Sequence, residues 1–68
     1  MKAKDLKDII NQIPDEDNVI FTYSMFEFEN ASPAIVHGKD IFKYFKEEGI
    51  EPCNIPHGKK DWMIKFDN

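Results

Sequence analysis

The hydrophobic period of this chain changes from helical to extended between Ile13 and Val19, and Pro14 stands at the change. Upstream, Ala3, Leu6, Ile9, Ile10 and Ile13 recur at spacings of three and four. At ~100° per residue they share an arc of about 120°, the apolar stripe of an amphipathic helix. Lys4, Lys7, Asp8, Asn11 and Gln12 take the other side, and Asp5 suits the positive end of the helix dipole. Pro14 disfavours helical backbone at Ile13, so the helix is expected to end there. Asp15-Glu16-Asp17-Asn18 then reads as a polar turn. Downstream, Val19-Ile20-Phe21-Thr22-Tyr23 is filled with β-branched and aromatic residues, a strand composition.

Along that strand Val19, Phe21 and Tyr23 share one face, and Ile20, Thr22 and Ser24 the other. Beyond Ser24 the apolar parity switches, because Phe26 and Phe28 are in phase with Ile20; a bulge near Ser24-Met25 accounts for it. Glu29-Asn30-Ala31-Ser32-Pro33 is a loop signal, and Ala34-Ile35-Val36 a short strand expected to pair back onto the first. A second helix is predicted from Lys39 to Glu48, with Asp40 at its cap or first turn. Ile41, Phe42 and Phe45 form its buried stripe, with Tyr44 on the flank. Gly49 falls where a left-handed terminal residue belongs, and Pro52 prevents continuation. Ile50 to Ile55 is expected as a weak edge strand, Pro56-His57-Gly58-Lys59 as a turn, and Trp62, Ile64 and Phe66, alternating with Met63 and Lys65, as the last strand. The expected fold is a single α+β domain over residues 1–68, in the order α-β-β-α-β-β. Its antiparallel sheet has about four strands, with two helices packed on one face.

A core this small leaves a net stability of about a few kcal/mol unless a partner or a second copy of the chain adds buried surface. With 41% hydrophobic residues the chain is too apolar to be disordered. No apolar run approaches the ~20 residues of a membrane span. The opening Met-Lys-Ala-Lys-Asp lacks the apolar region of a signal peptide, and Cys53, the single cysteine, has no internal disulfide partner. A reducing, cytoplasmic setting is the expectation.

Charge narrows the partners. Nine basic residues against thirteen acids give a net charge of −4. All nine are lysines, and arginine, which supplies the bidentate fork that reads guanine and clamps phosphate, is absent. The abundance of Asn, Lys, Ile and Phe is what AT-rich codons produce, which suggests a low-GC genome as the source. Between Lys7 and Lys39 the chain has no basic residue and six acids: Asp8, Asp15, Glu16, Asp17, Glu27 and Glu29. Such a surface repels DNA and attracts basic partners, although a solvated rim that keeps a small protein soluble has the same composition.

The residues that could carry chemistry are sparse. Cys53 with His37 or His57 is the only nucleophile-and-base pairing, and nothing in the spacing places the three together; Cys53 beside Pro52 reads as a small buried hydrophobe. As zinc ligands the same three lack the close pairs of a structural site. The Gly38-Lys39 and Gly58-Lys59-Lys60 fragments fall short of a phosphate loop, and Asp15 with Asp17 is only the first fragment of a calcium loop. No catalytic residue, metal ligand or cofactor is therefore assigned. One internal echo exists. Ile35-Val36-His37-Gly38-Lys39-Asp40 resembles Ile55-Pro56-His57-Gly58-Lys59-Lys60-Asp61, twenty residues later. Repeat architectures need three or more copies, and these copies lead into different elements, so the echo reads as coincidence.

The nine aromatic residues are more than a core of one sheet and two helices covers at this size. Met25, Phe26 and Phe28, beside Tyr23 and flanked by Glu27 and Glu29, are the candidates for a partly exposed patch with an acidic rim, an interface composition. The competing reading tucks them into the core.

The opening Lys2-Ala3-Lys4-Asp5-Leu6, followed by Ile10, Ile13-Pro14-Asp15 and Val19-Ile20-Phe21, resembles the N-terminal helix, Leu/Ile-Pro-Asp turn and hydrophobic strand of many small uncharacterised proteins of phages and other mobile elements. The resemblance covers about the first 24 residues and brings no catalytic residues. It implies a protein that binds and redirects a host protein. The expected function is thus a non-enzymatic protein-binding module, an inhibitor or adaptor of a host or cognate protein, or a self-associating dimer. It would act through Tyr23, Met25, Phe26, Glu27, Phe28 and Glu29. The alternatives are a nucleic-acid-associated protein using the Lys59-Lys60 turn, with Tyr44 and Trp62 as stacking platforms, and an acidic DNA-mimic inhibitor.

Overall fold

The computed structural model describes residues 1–23, 31–51 and 53–67. In chain order these form α1 (Ala3–Ile10), β1 (Asn18–Tyr23), β2 (Ser32–His37), α2 (Lys39–Glu47) and β3 (Asp61–Asp67). The α+β class stands; the sheet differs from the expected one.

The sheet has three strands in the order β1-β3-β2 and is mixed rather than antiparallel. β1 runs parallel to β3, with Val19 opposite Trp62 and Phe21 opposite Ile64. β2 runs antiparallel to β3, with Ile35 opposite Ile64 and His37 opposite Trp62. β2 therefore does not pair back onto β1, because β3 inserts between them. The cause is visible in β3 itself. Successive strand residues point to opposite faces, yet Met63 and Ile64 are both 0% exposed. A strand apolar on both sides needs cover on both faces and a neighbour at each edge, which only the central position supplies. Pro33, which has no amide to donate, is accommodated in β2 at an edge of the sheet.

The predicted strand from Ile50 to Ile55 is absent among the described residues, which run as turns and irregular backbone. Proline cannot donate to a ladder, and Glu51, Cys53 and Asn54 give the segment no apolar face to bury. Cys53 is correspondingly exposed rather than a buried hydrophobe. The bulge expected near Ser24-Met25 lies outside the described residues.

Both helices form near their sequence signals, but α1 ends at Ile10 rather than Ile13, and of its expected stripe Leu6 and Ile9 are half-buried while Ala3 and Ile10 are exposed. The Lys2 amide donates to the Asp5 carboxylate at 3.2 Å, closing the start of α1. Regular helix stops at Ile10, and a tighter turn carries the chain on, with the Ile13 amide donating to the Ile10 carbonyl at 3.0 Å. Ile13 ends this turn buried, and α1 lies against β2. On α2, Ile41 is fully buried, Tyr44 and Phe45 are half-buried, and Phe42 is exposed. The buried stripe is therefore Ile41-Tyr44-Phe45, not Ile41-Phe42-Phe45. Lys65 Nζ sits 5.1 Å from the centre of the Tyr44 ring, which places α2 on the Met63 and Lys65 side of the sheet. Gly49 ends α2 at φ +78° as expected, and the Ile50 amide donates to the Phe45 carbonyl at 2.9 Å.

Candidate functional site

Two surfaces emerge, one on β1 and one where β2 and β3 meet the loops. On β1, Val19 and Phe21 point to the same face and are 38% and 61% exposed. Phe21 lies directly opposite the fully buried Ile64, so the apolar surface continues from the core onto an open edge. Among the described residues no strand pairs with the outer side of β1. The turn that leads into it places Asp15 and Glu16 in solvent. Asp17 is engaged: its carboxylate accepts from Trp62 Nε1–H at 2.8 Å. Of the candidate interface residues, Tyr23 ends β1 opposite Phe66. Met25, Phe26, Glu27, Phe28 and Glu29 lie outside the described residues.

The second surface joins the two copies of the sequence echo. Asn18 donates through its amide to the Lys60 carbonyl at 2.8 Å, and the Gly38 amide donates to the Asp61 carbonyl at 2.9 Å. These bonds bind the start of β1 and the end of β2 to the same short stretch. The Asp61 carboxylate accepts from the Gly58 amide at 2.8 Å and from Asn18 Nδ2 at 3.2 Å. His37 Nε2 lies 2.6 Å from the Lys59 carbonyl, and His57 Nδ1 lies 2.7 Å from the Ile55 carbonyl. A carbonyl only accepts, so each of these nitrogens carries the proton. The two rings are braced alike. His37 stacks on Trp62 with centroids 3.9 Å apart and planes within 15°, and His57 tilts against Phe42 at 5.1 Å. Between the segments lies a cavity of about 270 Å³ lined by His37, Gly38, Lys39, His57, Gly58 and Lys59. The echo is thus not a coincidence of composition alone, because the fold brings its two copies together around this cavity.

The remaining candidates stay apart. No hydrogen bond joins Cys53 to either histidine among the described residues. No group of three or more His, Cys, Asp and Glu suited to a metal ion is gathered among them. Trp62, held between His37 and Asp17, and Tyr44, packed edge-on to Phe45 at 5.3 Å and beneath Lys65, are both engaged inside the protein. No helix among the described residues is long and apolar enough to cross a membrane. Comparison with protein-family models, with curated proteins and with solved structures found no match.

Proposed function

We infer that this protein is a non-enzymatic binding module that captures another protein through the apolar face of β1 and the acidic residues beside it. The observation that carries this reading is Phe21, 61% exposed next to Val19 on an edge strand. A large aromatic ring left in water is unfavourable by roughly 1 kcal/mol or more compared with a buried one, and aromatic rings are the usual energetic centres of interfaces. Among the described residues the outer edge of β1 is unpaired, which offers backbone donors and acceptors to an extended partner segment. Asp15 and Glu16 at the entrance to β1 favour a partner with a basic rim. The resemblance of the N-terminal segment to small phage and mobile-element proteins agrees with this reading, and in that setting the module acts as an inhibitor or adaptor of a host protein.

The nucleic-acid alternative loses its two stacking platforms, since Trp62 is held by His37 and Asp17 and Tyr44 lies against Phe45 and Lys65. The test of the main reading is capture from lysate of a low-GC host by the tagged chain and by the Val19→Ala/Phe21→Ala variant, with light scattering on the same samples. A single stoichiometric partner lost in a natively folded variant supports it. Equal capture by both chains overturns it. A dimer abolished by the same substitutions makes the partner a second copy of the chain.

A further inference from the structure

We propose that the cavity between the two His-Gly-Lys segments is a binding site for a small phosphate-bearing anion, either inorganic phosphate or a phosphomonoester. The site is separate from the β1 surface and does not depend on its function. Three observations carry it. First, the fold brings two copies of one short motif face to face. Their glycines make this possible: a Cβ built on Gly38 would lie 3.3 Å from the Gly58 carbonyl oxygen, and Gly38 adopts φ +59°. A side chain at Gly38 would therefore push the segments apart as well as strain the backbone.

Second, the lining is basic in an acidic protein. The whole chain carries −4, yet the cavity presents two lysines, two histidines and no carboxylate. Among the described residues neither Lys39 nor Lys59 forms an ion pair or hydrogen bond through its ammonium. Asp61, whose carboxylate holds the Gly58 amide, and Asp40, in the first turn of α2, are the acids adjoining the segments. Third, each imidazole gives one nitrogen to a carbonyl and is braced by an aromatic ring, while its second nitrogen has no partner among the described residues. The flexible ammonium groups donate charge-assisted bonds to phosphate oxygens, and the second nitrogen of each braced ring donates to a phosphate oxygen when the imidazole is protonated or accepts from a phosphate hydroxyl when it is neutral. At about 270 Å³ the half-open cavity has room for phosphate or for a small phosphomonoester.

The experiment is an amide and histidine-ring NMR titration of the full chain with inorganic phosphate, with phenyl phosphate, with a single-stranded DNA oligonucleotide, and with sodium chloride at matched ionic strength. The expected result is a saturable shift confined to residues 37–39 and 57–61 in both phosphate arms and missing with chloride. Tighter binding of phenyl phosphate identifies a phosphomonoester as the ligand; tighter binding of inorganic phosphate identifies the free anion. Lys39→Gln and Lys59→Gln each weaken binding about tenfold, the loss of one charge-assisted hydrogen bond. Lys43→Gln, on the exposed part of α2, leaves it unchanged. All three variants must retain the wild-type amide pattern of β1 and β3. Linear, non-saturating shifts, the same shifts with chloride, or equal weakening by Lys43→Gln would overturn the proposal. So would a response to single-stranded DNA with none to either phosphate.

Discussion

Phe21 and Ile64 provide a sharp test of the strand order, because they are register partners on one face with opposite exposure. Ile64 is 0% exposed and Phe21 is 61% exposed. Ile64→Ala deletes three carbons, worth about 2.4 kcal/mol of transfer free energy at ~0.8 per carbon, and leaves a cavity in the middle of β3. The combined loss is about 3–4 kcal/mol, within the usual ~2–5 for such truncations. A chain of 68 residues has about 3–10 kcal/mol in total, so this one change removes a third or more of it. Phe21→Ala removes a ring that buries less than half its surface and costs about 1 kcal/mol. Urea unfolding read by Trp62, the only tryptophan, compares them. With a slope of about 1 kcal/mol/M, the midpoint falls by about 3 M for Ile64→Ala and about 1 M for Phe21→Ala. Should Ile64→Ala be unfolded at the outset, Ile64→Val, at about 0.5–1.5 kcal/mol, keeps the comparison measurable. Equal losses at the two positions would refute a central β3 with β1 at the edge.

The other expectations concern single contacts. Gly38→Ala destabilises by about 2 kcal/mol or more, since φ is +59° and Gly58 crowds the new methyl, whereas Gly49→Ala, at φ +78° with nothing within 4 Å, costs about 1 kcal/mol; urea midpoints rank the two. Asp17→Asn weakens the bond from Trp62 Nε1–H, lowers stability by about 1 kcal/mol and moves the indole N–H resonance. Cys53, being exposed, reacts with a thiol reagent in the folded protein as fast as in the urea-unfolded chain, and Cys53→Ser changes stability by less than about 0.5 kcal/mol. Phe26→Ala with Phe28→Ala abolishes partner capture while the far-UV dichroism stays native; lost dichroism would place both rings in the core.

Local signals located the elements, and long-range ones were missed. The β-branched run at Val19–Tyr23 and the glycine after α2 each report on their own neighbourhood and have their expected structure, whereas the stripe from Ala3 to Ile13 forms regular helix only as far as Ile10. Strand pairing depends on residues forty or more positions apart, as in Asn18 against Asp61, and no local pattern encodes it. One clue was present: Trp62-Met63-Ile64 is apolar at three consecutive positions, which a half-buried hairpin strand does not need and a central strand does. The expected Ile50–Ile55 edge strand does not form among the described residues, because proline cannot donate to a ladder and Glu51, Cys53 and Asn54 offer no apolar face. At the candidate sites, the sequence picked out an aromatic surplus but not that Phe21 and Val19 would carry exposed surface on β1. The meeting of His37-Gly38-Lys39 with His57-Gly58-Lys59 follows from the β3 insertion, so it stayed hidden with the topology.

The binding function is tested most directly by placing a photo-crosslinking benzophenone side chain at position 21 and, separately, at position 50, an exposed apolar position just after α2. Irradiation in host lysate should join one protein to the chain at near-stoichiometric yield from position 21 and not from position 50. The same products from both positions, or none from position 21 while the chain remains folded and monomeric, would contradict a partner-binding face on β1.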